Sequence, residues 1–284
     1  MSNHLHLHLG AHKTASTHFQ HMLEIVNSRN LSGVLIPAQA TIRNNITHGN
    51  RFLATDHKDE VRVLLNSFLS DESQRVIVSE ENLIGEAKDF YDTDVLYSKS
   101  RARLTAFADL LPNFQNITIW FFIRSLDSFL PSIYCEYLRH WRYRKFGSIL
   151  NGHYKQSWVP VVNTIQSIFP GARLNVIDYH QYKDVLPRVL ASMTGTSSVE
   201  LPHQLKVIRP RLSDFAVRTA SLLPDQMRAH RRQGAVDTAS RLSRLSSKTK
   251  PFSPFNQFMT EQLQIAYNKD LDSLRDNSTI SLME

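Results

Sequence analysis

The chain is nearly free of cysteine: Cys135 is the only one in 284 residues. A lone thiol excludes an intramolecular disulfide, so nothing in the composition points to an oxidising compartment. No apolar run approaches the roughly 20 residues that span a bilayer as a helix. The first residues lack a basic stretch followed by an apolar one, the pattern of a secretory signal. These absences set the expectation of a cytoplasmic protein with no membrane span. No internal repeat and no flexible linker divides the sequence, so residues 1–284 read as a single domain. Acidic residues are outnumbered, 26 against 33 basic ones, which leaves a formal net charge of +7. That balance favours anionic partners such as nucleotides, phosphates, acidic glycans or nucleic acid, without choosing among them.

What is present is an alternation of strand and helix signals. HLHLHL (4–9) has strict period two, with leucines on one face of a strand and histidines on the other; Gly10 ends it. Residues 14–27 read as a helix with Phe19, Met22, Leu23 and Val26 on one side. A short strand is expected over 31–37 and an amphipathic helix over 58–69. RVIVS (75–79) is a β-branched strand followed by Glu80 and Glu81. After a helix at 99–111, closed by Pro112, comes NITIWFFIR (116–124), apolar enough to be a central strand covered on both sides. Helices at about 127–142 and 157–168 and a strand at 173–179 complete the pattern. The order implies an α/β fold, a mostly parallel central sheet with helices on both faces. From about residue 206 strand signals fade. Basic and small polar residues dominate 228–250, which read as loop and helix, and a last helix is expected over 255–275 with Phe258, Leu263, Ile265, Leu271 and Leu274.

The sharpest motif is Gly10-Ala11-His12-Lys13-Thr14-Ala15-Ser16-Thr17, between the first strand and the first helix. A strand-to-helix turn presents backbone N–H groups and the positive end of a helix dipole to an anion. Lys13 adds a point charge, and the hydroxyls add donors. It is not a Walker A motif, in which the lysine follows a second glycine and directly precedes Ser or Thr. An ordinary turn with Ser16 or Thr17 near an N-cap is the bland alternative. The second motif is Arg124 at the end of the apolar strand, with Asp127, Ser132 and Tyr134 following. A guanidinium at the C-terminal edge of a central parallel strand faces the crevice where such sheets bind ligands, and its fork suits phosphate.

LHLGAHKTASTHFQ resembles the 5'-phosphosulfate-binding loop of sulfotransferases, particularly the bacterial type reading roughly H-x-G-x-x-K-T-G-T-T-x-x-Q. The run Arg124, Asp127, Ser132 and Tyr134 is similar to their arginine, aspartate, serine and tyrosine segment, with the serine eight residues after the arginine. The resemblance implies a three-layer, P-loop NTPase-like architecture and transfer of the sulfuryl group of 3'-phosphoadenosine-5'-phosphosulfate (PAPS) to an acceptor hydroxyl or amine, leaving 3',5'-adenosine bisphosphate. It assigns the cofactor to Gly10, His12, Lys13, Thr14, Ala15, Ser16 and Thr17 at the 5' end. Lys13 contacts the bridging and sulfuryl oxygens. Arg124 and Ser132 take the 3'-phosphate. Ala15 departs from the pattern, which often has glycine there. The S-x-E segment of the family maps onto Ser79 and Glu81, so Glu81 is the expected general base, with Glu80 as the alternate.

The resemblance requires no metal. His4, His6 and His8 share one strand face, yet no carboxylate or cysteine partner is evident, and a structural or cofactor-adjacent role is expected for them. The acceptor is left open among glycan, lipid-linked saccharide and small metabolite; no nucleic acid is expected as a partner, although RHWRYRK (139–145) interleaves cations with aromatics in the way single-stranded nucleic acid favours. Arg209, Arg211, Lys248 and Lys250 are candidate contacts in the part, 206–284, expected to close over the nucleotide. A nucleotide-dependent kinase, or a non-catalytic nucleotide- or nucleic-acid-binding protein, is the competing reading. The kinase is disfavoured by the missing G-K-[ST] order and the lack of a clear Mg²⁺-binding aspartate after a strand.

Overall fold

The computed structural model describes residues 3–68, 75–112, 114, 116–150, 152–197, 211–245 and 250–283. Strand β1 (His4–Gly10) leads through the 10–15 turn into α1 (Ser16–Asn27), then β2 (Val34–Leu35), α2 (Gln39–Ile42), α3 (Lys58–Ser67) and β3 (Arg75–Ser79). The short α4 (Asp89–Asp92) and α5 (Ser100–Ala108) precede β4 (Asn116–Ile123) and α6 (Leu126–His140). Then come α7 (Phe146–Leu150), α8 (Val159–Ile168), β5 (Arg173–Asp178), α9 (Tyr182–Thr194), α10 (Asp214–Leu222), α11 (Ala229–Arg244), α12 (Gln257–Arg275) and β6 (Ile280–Met283).

The six strands form one sheet in the order β2-β3-β1-β4-β5-β6, and every pairing is parallel. All strands therefore end at one edge. The chain runs outward from β1 through β3's side of the sheet and then crosses to β4, so the order reverses beside β1, the place where parallel sheets open a ligand crevice.

The period-two alternation of β1 explains how the layers form. Leu5, Leu7 and Leu9 enter the larger core with Val76, Val78, Ile119, Phe121 and Val176, packed under α3, α5, α6, α8 and α12. Ile77, Trp120, Phe122 and Ile177 face the other way, against Phe19, Met22, Leu23 and Val26 of α1 and Val185, Leu186, Val189 and Leu190 of α9. His6 and His8 share this second face and are 2% and 0% exposed. His8 Nδ1 lies 2.7 Å from Ser79 Oγ and its ring meets Phe19 and Phe122. The histidine face of the first strand is thus part of a packed layer.

Several elements differ from expectation. The first helix begins at Ser16 rather than residue 14, because Ala15 takes a left-handed conformation, φ 66°. A helix, α9, fills 182–194, where Pro187 in its first turns masks the apolar stripe. The basic stretch before residue 245 is a regular helix, α11, that buries Val236 and Ala239. In α12 the buried residues are Leu263, Tyr267, Leu271 and Leu274, while Phe258 and Ile265 lie on the exposed side. The last strand, β6, was not anticipated at all; it pairs with β5 at the sheet edge. Among the described residues no helix is long and apolar enough to cross a membrane.

Candidate functional site

The turn after β1 has a conformation that only glycine adopts freely at its first position. Gly10 has φ +73°, and a Cβ there would sit 2.9 Å from Glu81 Cβ and 3.1 Å from Ser16 Oγ. That close approach seats Glu81 against the turn. Lys13 and Ala15 also take positive φ, 62° and 66°. Such alternation turns successive amides toward a common concavity, a geometry that holds anions. The N-cap position of α1 is Ala15, whose side chain cannot cap the helix. The amides of Lys13, Thr14, Ala15, Ser16 and Thr17 find no acceptor among the described residues. The capping alternative for Ser16 or Thr17 is therefore not realised, and the donors stay available at the positive end of a 12-residue helix.

The hydroxyls divide their roles. Thr14 is fully buried and its Oγ1 donates to the Ala11 carbonyl at 2.6 Å. Ser16 Oγ donates to the same carbonyl at 3.1 Å. Both brace the turn from inside. Thr17 is exposed on the first turn of α1. Lys13 Nζ reaches across to Glu136 on α6 at 3.1 Å. Glu136 also binds Arg139 at 3.1 Å and lies 3.1 Å from His140. Burial pushes the Glu136 carboxyl up, but His140, Lys13 and Arg139 outweigh it and hold the group well below the ordinary carboxylate range.

Arg124 meets this turn directly. Its Nη1 donates to the Lys13 carbonyl at 2.8 Å, its Nε donates to Ser128 Oγ at 2.7 Å, and its guanidinium lies 4.4 Å from the centre of the Tyr179 ring. Trp158 Nε1 fixes the strand end by donating to the Arg124 carbonyl at 2.8 Å. The hydroxyl that bonds Arg124 belongs to Ser128, one helical turn before Ser132. Ser132 sits on the same side of α6, buried to 6% exposure. Asp127, the acidic residue of the motif, accepts from the Ser125 hydroxyl. Arg211 joins the cluster from the C-terminal part, donating to the Ser128 carbonyl at 3.0 Å.

On the other side of the turn lies a polar chain that sequence reasoning missed. The His12 amide donates to Tyr97 Oη at 2.7 Å, and His12 Nδ1 lies 3.0 Å from the same oxygen. That hydroxyl accepts from the amide, so its own proton goes to Nδ1, and His12 Nε2–H faces Asn82 Oδ1 at 3.2 Å. Asn82 Nδ2 donates to Glu80 Oε1 at 2.6 Å. Arg43 donates to both Glu80 oxygens at 3.1 Å and to Glu81 at 3.3 Å, and Gln20 Nε2 donates to Glu81 at 3.0 Å. Burial keeps His12 below the ordinary histidine value, hence neutral near pH 7.

The two glutamates split in role. Glu80 is 0% exposed and held on every side, and burial with the neighbouring Glu81 charge raises its pKa. Burial also acts to raise Glu81, but His12 and Arg43 overcome it and keep that carboxyl low. Since His12 is uncharged, Arg43 is the cation that acts at neutral pH. Glu81 is therefore an ionised carboxylate against the turn, while Glu80 is a structural anchor. Gln20 was part of the quoted motif and was the available signal. Arg43, Tyr97 and Glu136 carried none, because each arrives from an element placed by tertiary packing; Asn82 sits beside Glu81 in the chain but was not singled out.

The remaining candidates scatter. Arg139 is a buried partner of Asp237 at 3.0 Å, and Trp141 stacks on Tyr137, so the front of the 139–145 segment is a packed corner. Lys250 is exposed beside α10, its carbonyl accepting from the Asp214 amide. Arg209 and Lys248 lie outside the described residues. No group of three or more metal-ligating side chains occurs among the described residues. Chemically, the arrangement can hold an oxyanion on five amides, neutralise it with an ammonium and a guanidinium, and present an ionised carboxylate beside it. Compared with known proteins, the chain matches no family model and no curated protein.

Proposed function

We propose that the chain is a PAPS-dependent sulfotransferase on a P-loop NTPase-like, three-layer scaffold. The observation that carries this reading is the bond from Arg124 Nη1 to the Lys13 carbonyl at 2.8 Å, which draws together two anion-binding motifs 111 positions apart. A nucleotide phosphorylated at both ends needs two such groups side by side. The residues fit it: open amides and Lys13 for the 5' end, and Arg124 with the neighbouring Arg211 for the 3'-phosphate.

When bound, PAPS supplies a sulfuryl group whose bond to the 5'-phosphate oxygen breaks as the acceptor oxygen or nitrogen forms its own bond to sulfur. The amides of 13–17 and Lys13 stabilise the electron pair left on the phosphate, a task for fixed donors in a site that excludes water. To do so, Lys13 exchanges Glu136 for the ligand. Arg124, braced by Ser128 and Tyr179, orients the nucleotide. Glu81, kept ionised by Arg43, takes the proton that the acceptor loses as it attacks.

A transfer assay with labelled PAPS against a panel of hydroxyl and amine acceptors tests this, alongside calorimetry with 3',5'-adenosine bisphosphate. Lys13→Ala and Arg124→Ala are expected to abolish bisphosphate binding. Glu81→Gln is expected to keep binding while turnover falls by about 10²-fold or more. Bisphosphate affinity unchanged in both cation variants would overturn the assignment.

A further inference from the structure

At the opposite edge of the sheet, where the strands begin, a cavity of about 520 Å³ opens beneath α9. Its wall includes His4, His6, Arg75, Arg173, Asn175 and Arg188, and among the described residues no acidic side chain contributes to it. Neither Arg75 nor Arg173 has a carboxylate partner among the described residues. Polar groups in the wall are buried: His6 is 2% exposed, Asn175 3% and Thr118 5%.

The hydrogen bonding of His6 is internally inconsistent without a further acceptor. Trp120 Nε1–H points at His6 Nδ1 at 3.3 Å, and a guanidinium N–H of Arg75 points at His6 Nε2 at 3.2 Å. Indole and guanidinium groups only donate. A neutral imidazole has one acceptor nitrogen and one N–H, and an imidazolium has no acceptor. With Trp120 satisfied by Nδ1, the His6 proton sits on Nε2 and confronts the Arg75 N–H, donor against donor. Both residues line a cavity that two more arginines share, and Arg75 Nη1 has the Ser192 carbonyl as its other partner at 3.2 Å. Unpaired buried donors are costly, and an oxygen carrying negative charge resolves the conflict by accepting from both.

We propose that this cavity is a second anion site, which binds a tetrahedral oxyanion, phosphate or sulfate, free or as the ester group of a small metabolite, between Arg75, His6 Nε2–H and Arg173. It is independent of the nucleotide reading. It lies at the other end of β1 from the Lys13 turn, seven residues away or about 20 Å along the strand.

The test isolates it by working in full-length Lys13→Ala protein, in which the turn no longer contributes its ammonium. Inorganic phosphate, inorganic sulfate and glycerol 3-phosphate are titrated by calorimetry against chloride at equal ionic strength, and the His6 Nε2–H resonance is followed by NMR. Saturable binding that shifts this resonance is expected, and it weakens at least tenfold in Arg173→Gln and Arg75→Gln. Arg173 is exposed, so its variant keeps the test sound if the Arg75 variant fails to fold. Tighter binding of glycerol 3-phosphate than of phosphate identifies an ester ligand; equal binding identifies the free ion. No saturable binding in the Lys13→Ala protein, or affinity unaffected by Arg173→Gln, overturns the site.

Discussion

The two edges of the sheet handle positive charge in opposite ways. At the edge where the strands end, three cations have carboxylates, Lys13 with Glu136, Arg43 with Glu80 and Glu81, Arg139 with Glu136 and Asp237, while Arg124 is held by the Lys13 carbonyl and Ser128. At the edge where they begin, Arg75 donates to a histidine and to the Ser192 carbonyl instead. The difference separates two ways of preparing a site. Paired cations hold the Lys13 turn in a fixed shape, and an incoming anion must replace Glu136. Arg173, in a cavity with no acidic side chain among its described lining residues, has no carboxylate to give up.

The sharpest contrast is in stability. Glu136→Ala removes the buried carboxylate that Lys13 and Arg139 share and is expected to cost about 3–5 kcal/mol, because it strands the Lys13 charge while Arg139 keeps Asp237. Arg173→Gln at the other edge is expected to change stability by no more than about 0.5 kcal/mol. Urea unfolding of both variants checks this, and equal effects would dissolve the distinction.

Acid separates the regions next. Burial holds His8 down to about 4 and, with His4 and Arg75, holds His6 down to about 3. Unfolding lets both rise to about 6.5. Between pH 6.5 and about 4 the unfolded chain binds protons that the folded chain refuses, so stability falls as pH falls. The slope is up to about 1.4 kcal/mol per pH unit for each histidine. Glu136, whose pKa is depressed, contributes stability above the ordinary glutamate value and loses it only on stronger acidification. Unfolding free energies from pH 7 to 4 should therefore slope in the wild type and slope less steeply, by up to about 1.4 kcal/mol per pH unit, in His8→Gln, with the Glu136 contribution emerging below that range.

The smallest effects probe the turn itself. Gly10→Ala places a Cβ against Glu81 at a positive φ and should destabilise by roughly 1–3 kcal/mol. Ala15→Gly relieves a left-handed alanine and should be neutral to stabilising by up to about 1 kcal/mol. Thermal melts of the pair, with opposite signs, would show that the turn's shape is set by Gly10 and merely tolerated by Ala15.

Legibility follows how local each signal is. β1, β3 and β4 were readable because period-two alternation and β-branched apolar runs are properties of adjacent residues. The Lys13 turn was readable because glycine, lysine and hydroxyls cluster within eight positions. β6 was not, since four residues at the sheet edge acquire strand character only by lying beside β5. Nor was the network around the glutamates. Arg43 sits in an irregular helical stretch, Tyr97 has φ 51°, and they are brought to Glu80 and His12 by packing across 37 and 85 positions. The resemblance put Glu81 first with Glu80 as the alternate; how differently burial and hydrogen bonding hold the two was not legible in the sequence.

The most direct test of the central claim is a crystal structure with 3',5'-adenosine bisphosphate. The account predicts the 5'-phosphate against the amides of residues 13–17, with Lys13 turned from Glu136 toward it, and the 3'-phosphate on Arg124. A nucleotide bound elsewhere, or Lys13 still paired to Glu136 with the ligand present, would contradict it.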